Sequence, residues 1–432
     1  MSSRTVLAAA VVLSTSIAAC VVADESVEAD ESDLTSKSAV FLELSFAGEA
    51  IAPRDEDAAQ RRRRMESQMF YLAGELDKTY GAHGRFGYVE LDNVTIEPLD
   101  EQLEVVHYDA RLPVAWPKHR AVPETYRVVL PKRIDDAGLR EFNSKYAGTC
   151  AKAKYGEDAL WYDFKPVTTE DCELDPVDVV DVEAGVAESP YTTTGRYPEF
   201  PKFWEDGEFR MVLVHGTDSA SSEDPSDFIA AEYIEFKEKL VAAHPDATIT
   251  EGDTTYSIYD DWRFEATVPM YGGGEGKLVV HGLLTSPLKY IGADFDERFD
   301  PISGDADIIA YGGHSGLSKN IKALASKGIV KEQAYQVMMF QGCSTFAYLD
   351  RSVNDRRIEL NGVEIDPLGT KFLDVVVTAR PAYAYTNSPS FWTVLTTLSG
   401  TEALTYDDML EAMPQQAIPL VAGEEDNPET AP

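Results

Sequence analysis

The chain has 432 residues, 44% of them apolar, and a formal net charge of −37 at neutral pH. That is enough apolar material for two domains with their own cores. So large an acidic excess argues against nucleic acid as a partner and against adsorption to anionic lipid head groups; it favours basic partners or simple dispersal in solution.

Arg4 followed by the apolar run 6–19 has the layout of an export signal, expected over 1–19. The segment Ser16-Ile17-Ala18-Ala19-Cys20 resembles the lipobox of bacterial lipoproteins, which makes Cys20 a lipidation site. A plain cut after Val21-Val22-Ala23 is the competing reading. The first route anchors the mature chain in the cell envelope, at the outer membrane or the periplasmic face, and the second secretes it in soluble form. No other segment approaches the roughly 20 apolar residues of a membrane span, so the expected membrane contact is an amino-terminal lipid alone. Residues 20–38, acidic and Ser-rich, read as a flexible tether.

The first domain is expected over 39–174. Hydrophobic periodicity predicts strands over 40–46, 87–91, 103–112 and 126–130, with helices over 58–79 and 135–146. That order suggests a small α+β domain. The basic run Arg61 to Arg64, flanked by acids, reads as a solvated helix face. Residues 175–207, rich in Asp, Val and Pro, read as a linker and a natural place for activating proteolysis.

The second domain is expected over 208–420. Strands are predicted over 209–214, 277–284, 305–311, 335–341 and 373–378, with helices over 225–243, 319–327, 390–398 and 407–413. Strands alternating with helices give an α/β fold, a mainly parallel sheet with helices on both faces. Residues 421–432 read as an acidic, disordered tail.

Two residues in this second domain carry the chemistry. His314 follows the apolar run 305–311, Cys343 follows 335–341, and a helical stretch lies between them. Strand, helix, strand is a βαβ crossover, which brings the carboxyl ends of both strands to the sheet edge where α/β proteins bind ligands. An imidazole that holds a thiol as thiolate, with backbone N–H groups for the oxyanion, suffices for nucleophilic cysteine catalysis. The chain has four cysteines. Export to an oxidising compartment lets Cys150 and Cys172 pair across a short loop, which leaves Cys343 as a reactive thiol or a buried structural one.

Tyr311-Gly312-Gly313-His314 and Phe340-Gln341-Gly342-Cys343-Ser344-Thr345 resemble the core motifs of the caspase and gingipain group of cysteine peptidases, and 372–392 resembles the next strand and loop of gingipain-type members. The resemblance covers about 208–400. It implies a caspase-like fold and a cell-envelope cysteine endopeptidase acting on peptide or protein substrates through a thioester. Cys343 is then the nucleophile, His314 the proton donor, and the backbone N–H groups of Cys343 with Ser315 or Gly316 the oxyanion hole. No cofactor or metal is implied. The family has Gly where this chain has Ser315, so a side chain there is expected to crowd the oxyanion hole. An inactive caspase-like lipoprotein serving as a binding module is the alternative. A serine α/β-hydrolase built on Gly313-His314-Ser315 is weaker, because no histidine follows Ser315. His215 and His281 also end apolar runs and read as structural histidines.

Overall fold

The computed structural model describes residues 33–217, 227–423 and 427–432. The expected signal and Cys20 lie outside them. Fifteen strands occur among the described residues: β1 (Asp33–Thr35), β2 (Ala39–Pro53), β3 (His83–Gly84), β4 (Glu90–Pro98), β5 (Leu103–Pro117), β6 (Thr125–Pro131), β7 (Val179–Glu188), β8 (Glu208–Gly216), β9 (Thr248–Glu251), β10 (Ile258–Pro269), β11 (Glu275–Thr285), β12 (Ile308–Gly313), β13 (Gln336–Gln341), β14 (Leu373–Thr378) and β15 (Pro419–Gly423).

They form two sheets. The first is antiparallel, ordered β3-β5-β2-β7-β6 with β4 also on β5. The helices Ala58–Met69 and Ala73–Tyr80 bury Met65, Met69 and Leu76 in its core. The first helix begins with a capping box between Asp57 and Gln60. Its basic run is more tied down than expected, since Arg61 pairs with Glu104, Arg62 with Glu66 and Arg64 with Glu56.

The second sheet has nine strands in the order β1-β15-β14-β13-β12-β8-β11-β10-β9. Its five central strands, β14 to β11 in that order, are mutually parallel, while β15, β10 and β9 attach antiparallel. The expected mainly parallel sheet is therefore a mixed one with a parallel centre. Alternation along each central strand assigns its two faces. Met211, Leu213, Ile308, Ala310, Val337, Met339 and Val376 meet the helices Phe228–Ala243, Ala384–Leu398 and Tyr406–Ala412. Val212, Val214, Ile309, Tyr311, Met338, Phe340, Val375 and Val377 face the helices Ala293–Ser303 and Lys319–Ala325 and the residues after Cys343.

That second face shares one continuous core with the first sheet. Phe41 meets Phe346 with ring centroids 6.4 Å apart, Trp161 meets Tyr348 at 6.1 Å, and Tyr88 donates to Asn354 Oδ1 at 2.5 Å. Three boundaries expected from composition are corrected accordingly. The linker 175–207 contains β7, which lies between β2 and β6. The tether 20–38 ends in β1, paired on β15. The tail 421–432 begins inside β15, and Asn427 is buried against Asp374 Oδ1 at 2.8 Å.

Asp374 is the anchor at that end of the sheet. Wholly buried on β14, it also accepts from the Tyr335 hydroxyl and, at 2.5 Å, from that of Tyr406. Asp374→Ala leaves buried donors without their acceptor, for an expected loss of roughly 3 kcal/mol in denaturant unfolding. It should also expose the last residues to limited proteolysis. An unchanged unfolding midpoint with a protected carboxyl terminus would refute this anchoring.

Candidate active site

The predicted crossover is present: β12, the helix Lys319–Ala325, then β13 parallel to and paired with β12. Gly312 is the register partner of Gln341. His314 and Cys343 each stand two residues further on, so they leave adjacent strands, about 4.8 Å apart, at the same level of the carboxyl edge. The chain-order reversal of the parallel strands falls next to them, between β8 and β12.

Each loop is held by buried polar groups. The His314 carbonyl accepts from the Tyr311 hydroxyl at 2.8 Å and from Asn320 Nδ2 at 2.7 Å. Asn320 Oδ1 in turn accepts the Lys289 N–H at 3.0 Å. The half-buried His314 ring meets Phe228, the first residue of its helix, edge-on with centroids 5.4 Å apart. After the other strand, the Gly342 carbonyl accepts from Thr378 Oγ1 at 2.8 Å and the Ala382 N–H at 3.2 Å. Thr345 Oγ1 bonds the Phe340 carbonyl at 2.9 Å and takes the Thr378 N–H at 2.9 Å. Directly after Cys343 the chain turns sharply through Ser344, whose φ of 52° is left-handed, a strained region for a residue with a Cβ.

Ser315 joins the two loops. Its hydroxyl donates to the Cys343 carbonyl at 2.6 Å and the residue is 2% exposed. The expectation that its side chain crowds the oxyanion hole is therefore corrected: the side chain points into the protein and fastens the two loops. A hydroxyl so engaged and buried also does not suit a serine nucleophile. Among the described residues, no acceptor takes the backbone N–H of Ser315, Gly316 or Cys343. Gly316 has a left-handed φ of 59°.

The remaining strand-end histidines are structural. His215 is fully buried between Tyr233 and Phe391, and burial lowers its pKa to about 3, so it is neutral. His281 is lowered to about 4 by burial and by the neighbouring Arg298, whose guanidinium lies 3.3 Å from its Nδ1 and holds Asp261 through two bonds. Cys150 and Cys172 are joined in a disulfide and Cys343 is free, as expected. Burial pushes the Cys343 thiol up from its usual pKa. Among the described residues, no cluster of three or more His, Cys, Asp or Glu side chains is placed to hold a metal ion, and no helix is long and apolar enough to cross a membrane.

Sequence reasoning missed Tyr311 and Asn320 as supports of His314, although both fall in or beside its motif. It also missed the tightness at Gly342, where an added Cβ would lie 2.8 Å from the Gly313 carbonyl and from Ser315 Oγ. Gly342→Ala forces these loops apart, at an expected roughly 2–3 kcal/mol, whereas Ser315→Ala loses one hydrogen bond, about 1 kcal/mol. Urea unfolding of both variants checks the order; a Gly342→Ala protein as stable as the wild type would refute the close contact. No family model matches this chain, and no curated protein gives a significant match.

Proposed function

We propose that this chain is an exported cysteine endopeptidase of the caspase and gingipain type, with His314 and Cys343 as its catalytic dyad. The observation that carries the reading is the register of β12 and β13, which delivers an imidazole and a free thiol to one level of one sheet edge. The backbone N–H groups beside them lack acceptors among the described residues, as an oxyanion hole requires. The disulfide suits an oxidising compartment outside the cytosol, and so supports export.

In this reading the Cys343 thiolate attacks the scissile carbonyl and the oxyanion is held by the N–H groups of Cys343 and of Ser315 or Gly316. His314 then protonates the leaving amine. Water, deprotonated by the same imidazole, hydrolyses the thioester and frees the carboxylate product. Tyr311 and Asn320 act as positioning residues through the His314 carbonyl, and Ser315 through that of Cys343.

One observation favours a second reading, a binding module without turnover. Burial raises the Cys343 pKa, whereas an activated thiol has it lowered. Thiolate formation here thus depends on a compensating positive charge at His314. A peptide acyloxymethyl ketone separates the readings: mass spectrometry should find a single adduct on Cys343 and none in Cys343→Ala. Because burial raises the thiol pKa, labelling without an imidazolium partner should need higher pH. His314→Ala should therefore slow labelling at neutral pH by about 100-fold and move its profile upward. A folded wild type that never labels, or a His314→Ala profile identical to it, would sink the dyad and leave the binding module.

A further inference from the structure

The first sheet's domain does more than pack behind the candidate site. Between it and the residues after Cys343 lies a cavity of about 160 Å³, room for about five waters or one polar side chain. Ser344 and Tyr348 form one wall. The opposite wall carries Lys154, Tyr162, Asp163 and Lys165, all within the segment closed by the Cys150–Cys172 disulfide. The cavity reaches the candidate site through Ser344, the residue directly after Cys343.

The disulfide-closed segment is firmly seated. The Glu75 carboxylate accepts the N–H groups of Val167 and Thr168 at 2.9 and 3.2 Å. Gly74 lets it approach, since a Cβ there would meet the Phe164 carbonyl at 2.5 Å. Lys165 N–H closes the segment on the Cys150 carbonyl at 3.0 Å.

The charges are unevenly engaged. Asp163 accepts the Lys154 backbone N–H at 3.0 Å and faces Lys165 Nζ at 3.8 Å. Asp77, also on the lining, faces His83 Nε2 at 3.4 Å, a contact that holds its carboxyl below the usual pKa. The ammonium of Lys154, by contrast, has no carboxylate within ion-pair distance among the described residues, and Lys165 has only the long contact. On this lining Lys154 and Lys165 match Asp77 and Asp163 in number, and the Lys154 ammonium is the one charge of the four with no partner within ion-pair distance among the described residues.

We infer that this cavity is a side-chain subsite beside Cys343 that takes an acidic residue of a peptide, its carboxylate received by Lys154 and Lys165 on the disulfide-closed segment. The inference rests on the peptide-binding part of the proposed function but not on turnover. It makes the first sheet's domain part of the recognition surface.

The test therefore uses the full chain carrying Cys343→Ala and reads binding by fluorescence anisotropy. Labelled peptides are identical except for Asp, Glu, Asn or Lys at successive positions. At one position Asp or Glu should bind about tenfold tighter than Asn, the scale of a partly desolvated charge pair. Lys154→Ala with Lys165→Ala should abolish that preference, and Lys154→Glu should shift it toward Lys. Removing the brace by Cys150→Ser with Cys172→Ser should weaken the preference in the same direction; if that variant unfolds, the lysine variants still decide. Equal binding of Asp and Asn peptides at every position, or a preference that survives the lysine variants, would overturn the subsite. Failure of Cys343 labelling in the otherwise wild-type chain marks instead the failure of the catalytic reading.

Discussion

The candidate site depends on how closely two backbones approach where β12 and β13 end. At Gly342 there is no space for a methyl group between the Gly313 carbonyl and Ser315 Oγ, and Gly313 itself, at φ 143°, has no room for one beside the Gly216 carbonyl. Parallel strands fix the level of His314 and Cys343, and this contact, fastened by the Ser315 hydroxyl on the Cys343 carbonyl, ties together the loops that carry them. Such buried bonds are worth little net energy each. Breaking one partner leaves a desolvated group behind, which is why a network of them holds a single arrangement.

The second dependence is the shared core. One face of the nine-stranded sheet is covered by its own helices, and the other is completed by aromatic residues of the first sheet's domain. That domain cannot leave without exposing Phe346 and Tyr348, which stand just beyond Cys343. The amino-terminal β1 and the tail around Asn427 lie on the nine-stranded sheet as well, so the two halves of the chain are interleaved rather than strung on a linker. Proteolysis within 179–188 would cut a strand paired on both sides, so activation by cleavage there would cost structure.

What could be read from the sequence follows from solvation. β8, β12, β13 and β14 are buried on both faces, so each is a continuous apolar run with little ambiguity, and β14 spans the residues expected. β7 has one wet face; its Asp and Glu residues gave it the composition of a linker. β10 carries two adjacent aspartates in Ile258-Tyr-Asp-Asp-Trp, and one of them, Asp261, is buried because Arg298 reaches it from a distant helix. β1 and β15 are short, and each becomes a strand only because the other or β14 is there to pair with. The residue types of the candidate dyad could be read in the same way, while the inward turn of Ser315 and the roles of Tyr311 and Asn320 could not. Those are set by contacts across loops, to which periodicity is blind.

Burial also sorts the titratable groups along this edge. His215, one strand away from His314, is enclosed by aromatic rings, and burial keeps it neutral. His281 is excluded by burial together with the cation of Arg298 beside it. His314 is the strand-end histidine set in a loop, half-buried against Phe228, with its carbonyl held by Tyr311 and Asn320. The thiol across from it is pushed the wrong way by its own burial, and a group in that condition is inert unless a neighbour supplies positive charge at the moment the thiolate forms. Under the proposed function, the reactivity of Cys343 is therefore conditional on one partner, the role proposed for His314.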